Sequence, residues 1–141
     1  MLYLKRRKRE KMNVRPPEKV RCFSHTQWVR GFGCCIEGRA GHVCEGRIDP
    51  HHDRLGTDGG TSLRPSDSFC VPVCRKAHDE LDGIKSGQRT FWAKYGVDRE
   101  KLADDLWWKS PHRRKWEQKM MREYGIVPEI GRRTVAGMKR A

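Results

Sequence analysis

Apolar positions recur at helical spacing over the C-terminal half of the chain and thin out over the first half. After Asp98, which is placed to cap a helix, Leu102 and Leu106 lie four apart on one face. Ser110-Pro111 fits an N-cap followed by the first helical position. Beyond it Trp116, Met120 and Tyr124 recur at i, i+4 and i+8, and Gly125 can end the helix. That stripe predicts core packing. Gln88 to Tyr95, closed by Gly96, and Cys74 to Asp82, followed by Gly83, predict two shorter helices. Phe69 to Val73 is short, apolar and partly β-branched, which predicts a strand. Residues 21–53 mix Cys, Gly and His and predict loop with short strands. Arg54 to Ser68 predicts a polar loop. The pattern is that of an α+β protein. It divides into a flexible arm over 1–20, a core over 21–87, a helical extension over 88–125 and a tail over 126–141.

Charge sharpens that division. The 141 residues carry 31 Lys and Arg against 18 Asp and Glu, a net charge of +13. Residues 1–20 and 111–141 each contribute +6, and the ninety residues between them only +1. The run Lys5-Arg6-Arg7-Lys8-Arg9 repels itself unless a polyanion neutralises it. Such ends point to a phosphate backbone, bound with release of counterions. Arg113, Arg114 and Lys115 extend the same expectation onto the last helix. No apolar run approaches the ~20 residues that span a bilayer, and the first block lacks an apolar face, so a membrane partner is not expected. The basic start has no apolar stretch behind it, so no secretory signal is read there. A cytoplasmic location is expected.

Two segments carry candidate chemistry. Asp49-Pro50-His51-His52-Asp53-Arg54 holds adjacent histidines, which an extended backbone sends to opposite sides. In Cys74 to Asp82, His78 and Asp82 stand at i and i+4, so a helix brings them to one face and lets them grip one ion. Each is weak alone, since exposed His pairs and solvated helix pairs are common.

Their order is more specific. Pro50-His51-His52, then Arg64-Pro65-Ser66-Asp67, Val71-Pro72-Val73-Cys74-Arg75, His78, Glu80-Leu81, Gly87, Phe91-Trp92 and Gly96-Val97-Asp98 follow one another. This set resembles the HNH (ββα-metal) endonuclease superfamily, and most closely its small phage recombination-enhancement (Ref-like) members, over about residues 43–100. The resemblance implies a ββα-metal core that hydrolyses DNA in a bacterial host cell, in phage recombination or processing. A recombinase filament or another phage DNA-processing protein would be its partner. His52 would be the general base, Arg54 a phosphate clamp with Arg75 as a second, and His51, His78 and Asp82 the ligands of one divalent ion. That ion would be Mg²⁺ or Mn²⁺, with Zn²⁺ or Ni²⁺ as alternatives. Three positions depart from the relatives. Ala77 and Asp82 stand where they often carry further histidines, and Phe69 stands near the place of the Asn that names the superfamily. Asp67 is available to take over that Asn's orienting role.

Many HNH domains also hold a structural zinc. The six cysteines contain no C-x-x-C pair. Cys35 and Cys44 with Cys70 and Cys74 form the expected tetrahedral set, with Cys34 and His42 in reserve. Three readings stand open: a metal-dependent DNA endonuclease, a non-catalytic zinc-stabilised nucleic-acid-binding protein, and a ribosome-associated basic protein.

Overall fold

The computed structural model describes residues 15–59, 63–84 and 87–128. The described chain is α+β: five helices pack around a two-stranded antiparallel sheet. The order is α1 (Phe23–Val29), β1 (Ile48–His52), β2 (Cys70–Cys74), α2 (Arg75–Gly83), α3 (Gln88–Tyr95), α4 (Arg99–Lys109) and α5 (Pro111–Tyr124). Short 3₁₀ turns stand at Arg30–Phe32, Arg39–Gly41 and Asp67–Phe69.

β2 is the centre. All five of its residues are buried, because helices cover both faces of the sheet at that strand. Val71 and Val73 join Ile36, Ala77, Leu81, Phe91, Trp92 and Tyr95 in the main core. Cys70 packs instead with Val29 and Leu106. β1 alternates, with Asp49 and His51 buried and Ile48, Pro50 and His52 half-buried. Opposite one another in the ladder stand Pro50 and Pro72. Neither has an N–H to donate, so the pair occupies a rung that needs none. The Pro72 carbonyl accepts from the Cys35 N–H at 2.9 Å, which ties the preceding loop to the sheet.

The chain passes from β2 into α2 without a loop. Cys74 caps the helix, its Sγ accepting from the Ala77 N–H at 3.4 Å. The two amides before it are taken by the loop before β1: Arg75 N–H donates to the Arg47 carbonyl at 2.8 Å and Lys76 N–H to the Glu45 carbonyl at 3.2 Å. That approach requires Gly46. Its φ is +80°, and a Cβ there would stand 2.7 Å from the Arg75 Cβ.

The C-terminal helices start and stop where their caps predict. Asp98 accepts from Lys101 N–H, Ser110 accepts from His112 N–H, and Gly96 and Gly125 adopt the left-handed conformation. The α5 stripe is core: Trp116 and Met120 are buried with Val20, beside Trp107 and Tyr124. The expected strand lies one residue later than its pattern suggested. α1 replaces part of the loop expected over 21–53, held by the burial of His25, Thr26 and Val29 rather than by any side-chain cap. No helix among the described residues is long and apolar enough to cross a membrane.

Candidate functional site

Three groups of chemistry-bearing side chains surround the strands. The first joins the loop before β1 to the β2–α2 junction. Cys34, His42, Cys44 and Cys74 place one ligand atom each within 4.8 Å of one another, and His42 Nε2 lies 3.3 Å from Cys74 Sγ. Three thiols and one imidazole, mostly buried, make a donor set that could hold a metal such as zinc. Burial raises the Cys44 thiol. At Cys74 burial also pushes upward, but the Ala77 and Glu45 amides donate to the sulfur and bring its net shift below the ordinary thiol value. The expected set therefore changes by two members. Cys70 stands four residues from Cys74 along a strand, about 13 Å, so it cannot share an ion with it. It packs with Val29 and Leu106, and its sulfur lies within 4.8 Å of ligand atoms of His52 and Asp67. Cys35 is held by its own backbone bond to Pro72, and the adjacent Cys34 enters the cluster in its place.

The second group lies between β1 and α2. Strand alternation turns Asp49 and His51 to the same side, and α2 brings His78 over them. The His51 and His78 rings are 5.3 Å apart, centroid to centroid. His78 Nδ1 is 3.1 Å from Asp49 Oδ2, and its Nε2 is 3.8 Å from Asp82 Oδ2. A carboxylate on Nδ1, with Nε2 on the side of Asp82, is the arrangement of a carboxylate-oriented metal histidine. Two bonds of about 2.1 Å from one ion span up to about 4.2 Å, which accommodates the His78–Asp82 separation. His51 is buried and its Nε2 has no hydrogen-bond partner among the described residues. Burial, then the neighbouring His78, lowers its pKa to about 4, so it is a neutral potential donor at pH 7. The expected trio is thus loosely gathered. His51, His78 and Asp82 are not among the sets whose ligand atoms all fall within 4.8 Å.

The third group is on the opposite side of β1. His52 Nε2 lies 2.8 Å from Asp67 Oδ1. Asp67 is buried and also accepts from the Cys22 N–H at 2.6 Å. Burial favours its protonated form, but the His52 and Cys22 hydrogen bonds outweigh it, and the pKa is lowered. The Arg64-Pro65-Ser66-Asp67 stretch gains its shape here. Ser66 Oγ accepts from Val20 N–H, Asp67 N–H donates to the Val20 carbonyl, and Arg21 donates to the carbonyls of Pro65 and Arg64. His52, Asp67, Arg21 and Arg64 line an open cleft of about 360 Å³ with Phe23 and Pro50.

Other expected contacts are placed differently. Arg75 is spent on carboxylates, 3.0 Å from Asp49 and 2.7 Å from Asp79. Arg113 turns inward, 4.4 Å above the Trp108 ring and 2.8 Å from Glu117. Arg54 is exposed and reaches the Leu63 carbonyl at 3.4 Å, and it is Arg64 that lines the His52 cleft. Arg114 and Lys115 are exposed on α5. Lys5, Arg6, Arg7, Lys8 and Arg9 lie outside the described residues. Arg21 and Arg64 on the cleft, and Asp49 as the His78 partner, were not foreseen from sequence. Asp49 was legible in principle, because it shares the strand face of His51.

An α+β chain with a Cys₃His cluster at a strand–helix junction and two histidine groups astride one strand is the class these features define. The chain belongs to the family described as "Protein of unknown function (DUF968)", whose model matches residues 3–110. It is similar to the uncharacterized protein YdfU of Escherichia coli (strain K12), at 33% identity over 76 residues. The match takes in 54% of this chain and 19% of that protein, so the chain spans about a fifth of the length of this curated relative. No solved structure matches.

Proposed function

We propose that this protein is a metal-dependent endonuclease of the HNH type, which hydrolyses DNA phosphodiester bonds at the end of β1. One observation carries the reading: the last two residues of β1 are His51, gathered with His78 beside Asp49 and Asp82, and His52, bonded to Asp67. His51, His78 and Asp82 would hold the divalent ion, which supplies charge neutralisation at the scissile phosphate when bound. Asp49 orients His78 from behind. Asp67 accepts the Nε2 proton of His52, which leaves Nδ1 to take a proton from the attacking water. Arg21, anchored by three backbone carbonyls, and Arg64 stand in the same cleft to bind phosphate oxygens. The two histidines face opposite sides of the strand and occupy its final two positions, so in this reading the scissile phosphate would lie over the strand end.

Cys34, His42, Cys44 and Cys74 hold a structural zinc in this reading. The ion would staple the 34–44 loop to the start of α2, which a small core of this kind benefits from.

A second reading has one observation in its favour, the separation of His52 from the His51–His78 group across β1. In that reading the protein is a zinc-stapled, non-catalytic nucleic-acid-binding module. A nicking assay on supercoiled plasmid with Mg²⁺ or Mn²⁺ separates the two. Cleavage by the wild type that falls by about 100-fold or more in His52→Ala supports the endonuclease. Equal cleavage by both proteins excludes His52 as the base, and cleavage by neither supports the binding module.

A further inference from the structure

Phe23 opens α1 and is 76% exposed, an aromatic ring left in solvent beside the His52 cleft. It also lines a second cleft, on the α5 side, with Arg21, His112, Lys115 and Lys119. Phe23 and Arg21 are therefore the ridge between two adjoining clefts, one leading to His52 and one running along α5. Among the described residues no carboxylate lines the α5 cleft, and the carboxylate of the other, Asp67, is occupied by His52 and the Cys22 amide. Lys115 and Lys119 are exposed and one helical turn apart, about 6 Å, a spacing comparable with successive phosphates of an extended strand. Arg21 is held on the ridge by its bonds to the Val20, Arg64 and Pro65 carbonyls. Its Nη1 stands 3.7 Å from Asp67 Oδ1, an oxygen already bonded to His52, so the guanidinium keeps charge to offer a phosphate.

A cationic track with an exposed aromatic face at its midpoint is the chemistry that recognises an unpaired strand. The cations take the phosphates, and the ring takes the flat face of a base that no partner strand covers. A duplex offers its phosphates to such a track but no free base face to Phe23. We infer that the joined clefts form a binding path for single-stranded DNA, entering along Lys119 and Lys115, stacking one base on Phe23 and delivering the following phosphate to Arg21, Arg64 and His52. The inference deepens the proposed function by naming the substrate as a strand that is unpaired at the site.

The test is fluorescence anisotropy of the full chain with labelled oligothymidylate and with a duplex of equal length, in buffer without added divalent ions. Cleavage plays no part in this readout, so a failed nicking assay would leave the binding result intact, and the reverse also holds. Wild type is expected to bind the single strand more tightly than the duplex. Phe23→Ala should weaken single-strand binding by about 5- to 100-fold and leave duplex binding nearly unchanged, while Phe23→Trp restores it. Lys115→Gln with Lys119→Gln should lower the slope of log affinity against log salt by about 1.4, from about 0.7 for each phosphate no longer neutralised. Tighter binding of the duplex, or a Phe23→Ala protein with unchanged single-strand affinity, overturns the inference. Unchanged affinity together with a lowered melting temperature would assign the ring a cover from within the chain and overturns it equally.

Discussion

Acid should weaken this fold through His25, and the effect can be sized. His25 lies in α1 with no exposed surface, its ring 4.9 Å from Trp107 and 5.8 Å from Trp28. Neither ring nitrogen has a hydrogen-bond partner among the described residues. Burial lowers its pKa from 6.5 to about 4, with Asp67 opposing and His112 adding to the shift. Between those two values the unfolded chain binds a proton that the folded chain refuses. The stability tied to this group is therefore intact above pH 6.5, falls as the pH drops through the window, and is fully lost below about 4. From pH 7 to pH 5 this single group costs about 2 kcal/mol. Urea denaturation at the two pH values measures it, with His25→Phe as the comparison, since Phe keeps a ring against both tryptophans and binds no proton. Other titrating groups act alike in both proteins, so the wild type should lose about 2 kcal/mol more than the variant. His25→Gln serves the same purpose if Phe overfills the site. Equal losses in wild type and variant would refute the reasoning, because they would mean that the imidazole titrates as freely folded as unfolded.

Three further outcomes follow from the packing. Asp67→Ala strands the Cys22 amide and His52 and should cost about 3–5 kcal/mol in a denaturant melt, whereas Asp67→Asn, which keeps an acceptor, should cost about half as much. Atomic emission should find one zinc per chain in wild type and in Cys70→Ser but none in Cys44→Ser, and at free zinc a thousandfold above its dissociation constant the wild type should be stabilised by about 4 kcal/mol relative to the metal-stripped protein. Gly46→Ala should lower stability by about 1–3 kcal/mol, read as a shift in melting temperature, because φ is +80° and the new methyl group meets the Arg75 side chain.

What the sequence disclosed was the locally determined part. Asp98, Ser110-Pro111, Gly96 and Gly125 act through bonds to their own neighbours, so their roles can be read along the chain. The α5 stripe at helical spacing was legible for the same reason. α1 was not, since Phe23 to Val29 has no side-chain cap and becomes helical by burying His25, Thr26 and Val29 against distant elements. The cysteine set was half legible. Choosing Cys34 over Cys35 depends on how the loop turns, which no local pattern records. Choosing Cys70 treated a spacing of four as proximity, true on a helix and false on a strand. In the candidate site, the i, i+4 relation of His78 to Asp82 followed from helix geometry, and Asp67 was visible as a neighbour able to orient His52. That Arg75 and Arg113 already have carboxylate partners was not legible, because charge counts do not show pairing.

Manganese binding probes the heart of the proposal, that β1 and α2 together hold one divalent ion at His51, His78 and Asp82. Electron paramagnetic resonance of the zinc-loaded protein titrated with Mn²⁺ reports the bound ion without reference to cleavage. One bound Mn²⁺ per chain is expected in wild type and in His52→Ala, and loss of that site in His51→Ala and His78→Ala with the fold retained. Mn²⁺ binding that survives both ligand variants, or a wild type that binds none, would contradict it.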